Sequence, residues 1–199
     1  MSKAYSNYFN SYLDKVLGET ASKEVGSENN YVVYTDTSSL MCMRERQIVP
    51  KCELAVTEFM YKKEIEHRRK KGEISKEIKI VLKESHGVIF HDDWIEYKNE
   101  EAEEWLKKIK EAAKNGDKEK DSLDKISNAD FSLIYQAVET WRLTGSGVVV
   151  LSEDRHIKET VKKLSEKYPE LENIKVVSIR DIVEEYKNQR ENNYASASA

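Results

Sequence analysis

The chain has 199 residues, with 33 Lys and Arg against 37 Asp and Glu and a formal net charge of −4. Hydrophobic residues make up 39% and charged residues 35%, with 7 Gly and 2 Pro: the balance of a helix-rich domain that can bury a real core under a heavily solvated surface. Net acidity argues against a globally basic nucleic-acid binder, and no apolar run approaches the roughly 18 to 20 residues that span a bilayer. Neither point excludes a local basic stripe or a carboxylate cluster holding a metal.

The opening stretch, MSKAYSNYFNSYLDK, has no continuous apolar core and no small-residue cleavage site, so no secretory signal is expected. Cys42 and Cys52 are too few for a disulfide framework or a zinc cluster, and two reduced thiols in a cytoplasmic protein are expected. Tyr5, Tyr8, Phe9, Tyr12, Leu13 and Val16 recur at intervals of three and four. They predict an amphipathic helix over 3–18, closed by Gly18, with a polar linker to residue 30. An apolar helix of this kind outside the domain core makes a homodimer, or a partner protein docked on the helix, an expectation. YVVYT (31–35) predicts a first buried strand ending at Asp36.

Pro50 is placed to open a helix carrying Leu54, Val56, Phe59, Met60 and Ile65 as far as the stop at Gly72. Ile74, Ile78, Val81 and Leu82 predict a second helical stripe, and GVIFH (87–91) a second strand. A charged helix is expected over 93–114, with Trp94, Tyr97, Trp105, Leu106 and Ile109 on its apolar side, then a solvated connection over 115–125. Ser127 reads as the N-cap of a helix through Trp141. GVVVLS (147–152) is the clearest strand. A helix over 155–167, a strand IKVVSI (174–179) and a helix from Asp181 to Arg190 complete the chain, and 191–199, ending ASASA, reads as a disordered tail or cloning scar. Strands with near-continuous apolar patterns alternating with helices predict a three-layer α/β/α domain over 31–190. Its parallel sheet has four or five short strands, the region 73–125 is charged and helical, and 1–30 adds an N-terminal helix and linker.

Open parallel sheets place their sites at the carboxyl ends of the strands. Asp36 ends the first strand and is followed by Thr37 and Ser38. Asp154 lies just past GVVVLS, and Asp130 is in the first turn of the preceding helix. Each reads equally as a helix cap or dipole partner. Together, carboxylates crowded at neighbouring strand ends repel one another and are tolerated with a cation, for which oxygen-only ligands select Mg²⁺ or Mn²⁺.

VVYTDTSSL (32–40), ISNADFSLIYQAVE (126–139) and VVVLSEDRHI (148–157), in this order and spacing, resemble the motifs of PIN-domain nucleases across residues 31–180. The resemblance implies a metal-dependent endoribonuclease that hydrolyses RNA phosphodiester bonds, with Asp36, Asp130 and Asp154 holding one or two Mg²⁺ or Mn²⁺ ions. The family's remaining acid is assigned to Glu58 in AVTEFM, with Glu53 as competitor. Thr37, Ser38 and Ser152 are candidates to orient the carboxylates. The extra helix and the long region 73–125 favour RNA processing over a compact toxin-type nuclease. For the RNA backbone the dense run HRRKK (67–71) offers Arg68, Arg69, Lys70 and Lys71, which read equally as complementing the dipole at a helix C-terminus; Arg155 follows Asp154 directly, and a solvated helix start is its simpler reading. His91, Asp92 and Asp93 read as a helix start, and Trp94 and Trp105 as packing residues before they read as base-stacking platforms. Two alternatives stand beside the nuclease. One is a PIN-like module that binds RNA or protein without cutting. The other is a haloacid-dehalogenase-type phosphotransferase, disfavoured because Ser38 stands where that chemistry expects a second Asp.

Overall fold

The computed structural model describes residues 2–20, 32–83, 88–91, 94–97, 100–113 and 127–197. A helix α1 (Ser2–Thr20) precedes an α/β core whose five-stranded sheet is all parallel, in the order β3-β2-β1-β6-β7. The strands are β1 (Val32–Thr35), β2 (Leu54–Thr57), β3 (Ile80–Lys83), β6 (Val148–Leu151) and β7 (Ile174–Val177). A separate antiparallel hairpin joins β4 (Val88–His91) to β5 (Trp94–Tyr97). Every residue of β2 and β6 is buried, as expected of strands covered on both faces.

The covering helices form two layers. On one side α6 (Asn128–Thr144) crosses β1, β2, β6 and β7, and is itself covered by α5 (Glu100–Ala113) and α7 (Arg155–Lys167). Buried on nearly all sides from Ala129 to Glu139, α6 is the central helix of the domain. On the other side α1 and α2 (Thr37–Glu45) pack on α8 (Ile179–Ala197). The three-layer α/β/α fold is therefore as expected, with the N-terminal helix inside it.

The apolar face of α1 is covered by its own chain. Phe9, Leu13 and Leu17 join the core, and the rings of Tyr5 and Tyr8 lie 5.4 and 4.9 Å from that of Tyr186. Asn10, 5% exposed, donates to Val49 O at 3.1 Å and accepts from Lys51 N–H at 2.8 Å. These bonds satisfy the backbone of the loop between α2 and β2.

Several expected elements are corrected. No helix starts at Pro50: LAVT is β2, and Thr57 caps the helix instead, its Oγ1 accepting from Met60 N–H at 3.1 Å. That helix comprises α3 (Glu58–Met60), a π-helical turn (Tyr61–Ile65) and α4 (Glu66–Lys70), ending where Gly72 takes a φ of +71°. The stripe from Ile74 to Leu82 is not a helix: Ile74 and Ile78 are buried in turns, and Val81 and Leu82 belong to the edge strand β3. Of GVIFH, Val88–His91 is a strand, but of the hairpin, and Trp94–Tyr97 is its partner strand, so the charged helix starts at Glu100. The connection 115–125 lies outside the described residues, as do Asp92 and Asp93. The last helix continues past Arg190 to Ala197. Among the described residues no helix is long and apolar enough to cross a membrane.

Candidate functional site

From β1 the chain steps outward to β2 and β3 on one side and to β6 and β7 on the other, so the strand order reverses between β1 and β6. That reversal opens a crevice at the carboxyl ends of doubly wound sheets. In-register pairing sets Thr35 beside Leu151, and Asp36 N–H bonds Leu151 O at 3.1 Å. The residues that follow, Asp36 and Ser152, are thus brought together by sheet geometry across 116 positions of sequence.

Asp36 is 3% exposed and fully engaged: it accepts from Ser39 N–H at 2.6 Å, Ser38 Oγ at 2.8 Å and Ser152 Oγ at 2.5 Å. Ser152 Oγ in turn accepts from Asp154 N–H at 3.0 Å, so one buried hydroxyl ties the Asp36 carboxylate to the Asp154 backbone. Asp154 caps α7 through His156 N–H at 2.6 Å. Asp130 forms a capping box with Ser127, whose Oγ donates to its carboxylate at 2.8 Å. The cap reading and the site reading therefore hold together: each acid ends a helix and faces the same crevice.

The crevice perturbs the ionisation of Asp130. Burial, and after it the charges of Asp154, Glu64 and Asp36, push its carboxyl from 3.8 up to about 6, against the opposing pull of the Ser127 bond. Asp36, Glu64, Asp130 and Asp154 line one cavity of about 790 Å³, which Glu73 also lines.

The fourth acid is Glu64, and the assignment to Glu58 is corrected. Glu58 is not in the lining and pairs with Lys62 on the surface. Glu53 is exposed just before β2, at the opposite end of the sheet from the strand termini that build the crevice. Glu64 sits in the π-helical turn and accepts from Thr37 Oγ1 at 2.6 Å. The same helix face brings Lys63, His67, Arg68 and Lys71 to the cavity wall, at the three-to-five-residue spacing of one side of a helix.

The basic candidates divide. Arg68 and Lys71 line the cavity, Arg68 bonding Glu73 at 3.1 Å. Arg69 and Lys70 do not; Lys70 pairs with Glu66 at 2.9 Å. Arg155 points away, its side chain 86% exposed and bonded to Glu159 at 2.6 Å. Thr37 and Ser38 line the cavity, and Ser152 lies just beneath it. Trp105 is buried and packs edge-on against Tyr168 at 5.6 Å, which leaves it no face for a base. The side chains of His91 and Trp94 lie outside the described residues.

An all-oxygen set of crowded carboxylates matches the chemistry of a hard divalent ion such as Mg²⁺ or Mn²⁺. Burial first, and the neighbouring acids after it, raise the Asp130 carboxyl, and a bound cation would offset both costs of ionising it. The side chains do not stand as a preformed cage: among the described residues no three His, Cys, Asp or Glu are grouped at ligating distance. Donor chemistry fits the ion, and the carboxylates must turn from their cap bonds to hold it.

Fold and cavity define a class: a doubly wound α/β protein with an acid-floored crevice at its strand-order reversal and a basic helix along one wall. Set against protein-family models and curated protein sequences, the chain matches none.

Proposed function

We propose that the chain is a Mg²⁺- or Mn²⁺-dependent endoribonuclease of PIN type that hydrolyses RNA phosphodiester bonds in this crevice, in RNA processing. The observation that carries the reading is the convergence of Asp36, Glu64, Asp130 and Asp154 on one cavity. When bound, a divalent ion supplies an acidified water and a neutralising charge for in-line displacement at phosphorus. The chain's own residues do the rest. The Asp36 carboxylate is oriented by Ser152, which also holds the Asp154 backbone, Asp130 by Ser127 and Glu64 by Thr37. Lys63, Arg68 and Lys71 place positive charge beside Glu64 on one wall, Arg68 paired with Glu73, and it is there that the phosphate backbone of RNA would be drawn in despite the net charge of −4.

The second reading, a PIN-like module that binds RNA or protein without cutting, is favoured by one observation: Asp36, Asp130 and Asp154 are all spent on helix caps, with no preformed cage. Calorimetric titration with Mn²⁺ separates the two. The nuclease reading expects saturable binding that Asp36→Asn removes from a folded protein. Absence of binding by the wild type, or equal binding by the variant, contradicts it.

A further inference from the structure

Behind the cavity, outside its lining, the hydroxyls of Thr57 and Ser132 stand 2.6 Å apart with both residues 0% exposed. Proton accounting gives the pair a direction. Ser132 Oγ spends its proton on Ala129 O at 2.7 Å, so it accepts from Thr57. Thr57 Oγ1 in turn accepts from Met60 N–H at 3.1 Å. The result is a continuous chain: Met60 N–H to Thr57, Thr57 to Ser132, Ser132 to the Ala129 carbonyl.

Its two ends are the first turns of the two walls. Met60 directly precedes the π-helical turn that carries Glu64, and Ala129 directly precedes Asp130. Apolar packing alone would let α3 slide on α6 at little cost. A fully satisfied polar chain in a dry interior holds one register, because any shift strands a buried donor.

We propose that the Thr57–Ser132 pair is a positioning contact. It fixes the start of α6 relative to the helix of Glu64, and so sets the distance between Glu64 and Asp130 on which divalent-ion affinity depends. The inference rests on the metal-nuclease reading and deepens it: neither residue touches ion or RNA.

The test uses the full chain, with Mn²⁺ calorimetry and thermal unfolding in EDTA. Ser132→Ala breaks the middle of the chain and leaves the Thr57 cap on Met60 in place; Thr57→Val removes both; Thr57→Ser keeps the hydroxyl. Loss of a group that orients ligands weakens metal binding about 10- to 100-fold. At least about 10-fold weaker Mn²⁺ binding is expected for folded Ser132→Ala and Thr57→Val, and near-wild-type affinity for Thr57→Ser. If Thr57→Val does not fold, Ser132→Ala carries the comparison. Wild-type Mn²⁺ affinity in Ser132→Ala, with only its melting temperature lowered, makes the pair merely structural and overturns the inference while the nuclease reading stands. An equal loss in Thr57→Ser overturns it too. A wild-type chain that binds no Mn²⁺ overturns both.

Discussion

Asp130→Asn should make the protein more stable while disabling it. In the fold, burial and the charges of Asp154, Glu64 and Asp36 raise this carboxyl from 3.8 to about 6. A folded value above the unfolded one means that the fold prefers the protonated form. Its stabilising contribution is complete below about 3.8 and is lost as the pH rises through about 6. The full gap corresponds to about 3 kcal/mol. Asp130 keeps some contact with solvent, and screening reduces this to about 1–2 kcal/mol. Asn cannot ionise, and it retains an oxygen for the Ser127 cap. In EDTA at pH 8, melting followed by circular dichroism should place the variant about 2–8 °C above wild type, given about 2–4 °C per kcal/mol in a chain of this size. The difference should shrink as the pH falls below about 6 and be nearly gone by about 4. Excess Mn²⁺ should raise the wild-type transition and leave the variant's in place. A variant that melts at or below wild type at pH 8 refutes the raised carboxyl of Asp130, to which burial contributes first and the neighbouring acids second.

Glu64→Gln should abolish Mn²⁺ binding and lower cleavage by at least about 100-fold, whereas Glu58→Gln, which only breaks a surface pair with Lys62, should change neither in the same calorimetric and cleavage assays. Lys71→Ala should weaken binding of single-stranded RNA and flatten its salt dependence by about 0.7 in log–log slope; Arg155→Ala, outside the cavity lining, should leave the fluorescence-anisotropy titration unchanged. Asn10→Leu strands the Val49 carbonyl and the Lys51 N–H under α1. It should cost about 2–4 kcal/mol in urea unfolding.

Elements whose patterns are complete within themselves were legible in the sequence. β6 is an unbroken VVVL run between glycine and charge, and α7 starts on the cap Asp154 and keeps its stripe of Ile157, Val161 and Leu164 to the end. β2 was not legible. Buried on both faces, LAVT shows no alternation, and with Phe59, Met60 and Ile65 beyond it, its Leu54 and Val56 mimic a helical stripe opened by Pro50. Ile74, Ile78 and Leu82 show the same false period, being spaced by four although two are turn residues and one is in an edge strand.

The site follows the same division. Asp36, Asp130 and Asp154 stand at ends of elements, where sequence marks them as caps and topology collects them at the strand-order reversal. Glu64 stands within a helix, where nothing local distinguishes it from Glu58 or Glu66. Its place depends on where the helix starts, which the misread β2 obscured, and on a π-helical turn that shifts the facing side chains. The helix face that carries it also explains why only part of HRRKK reaches the cavity. His67, Arg68 and Lys71 share its side of the helix, and Arg69 and Lys70 do not.

The most direct test of the nuclease assignment is a cleavage time course on end-labelled RNA, with wild type and folded Asp36→Asn each in Mn²⁺ and in EDTA. The account predicts internal cuts by wild type in Mn²⁺ alone, with EDTA or the substitution abolishing them. Undiminished cutting in EDTA or by Asp36→Asn, or intact RNA with wild type in Mn²⁺, contradicts it.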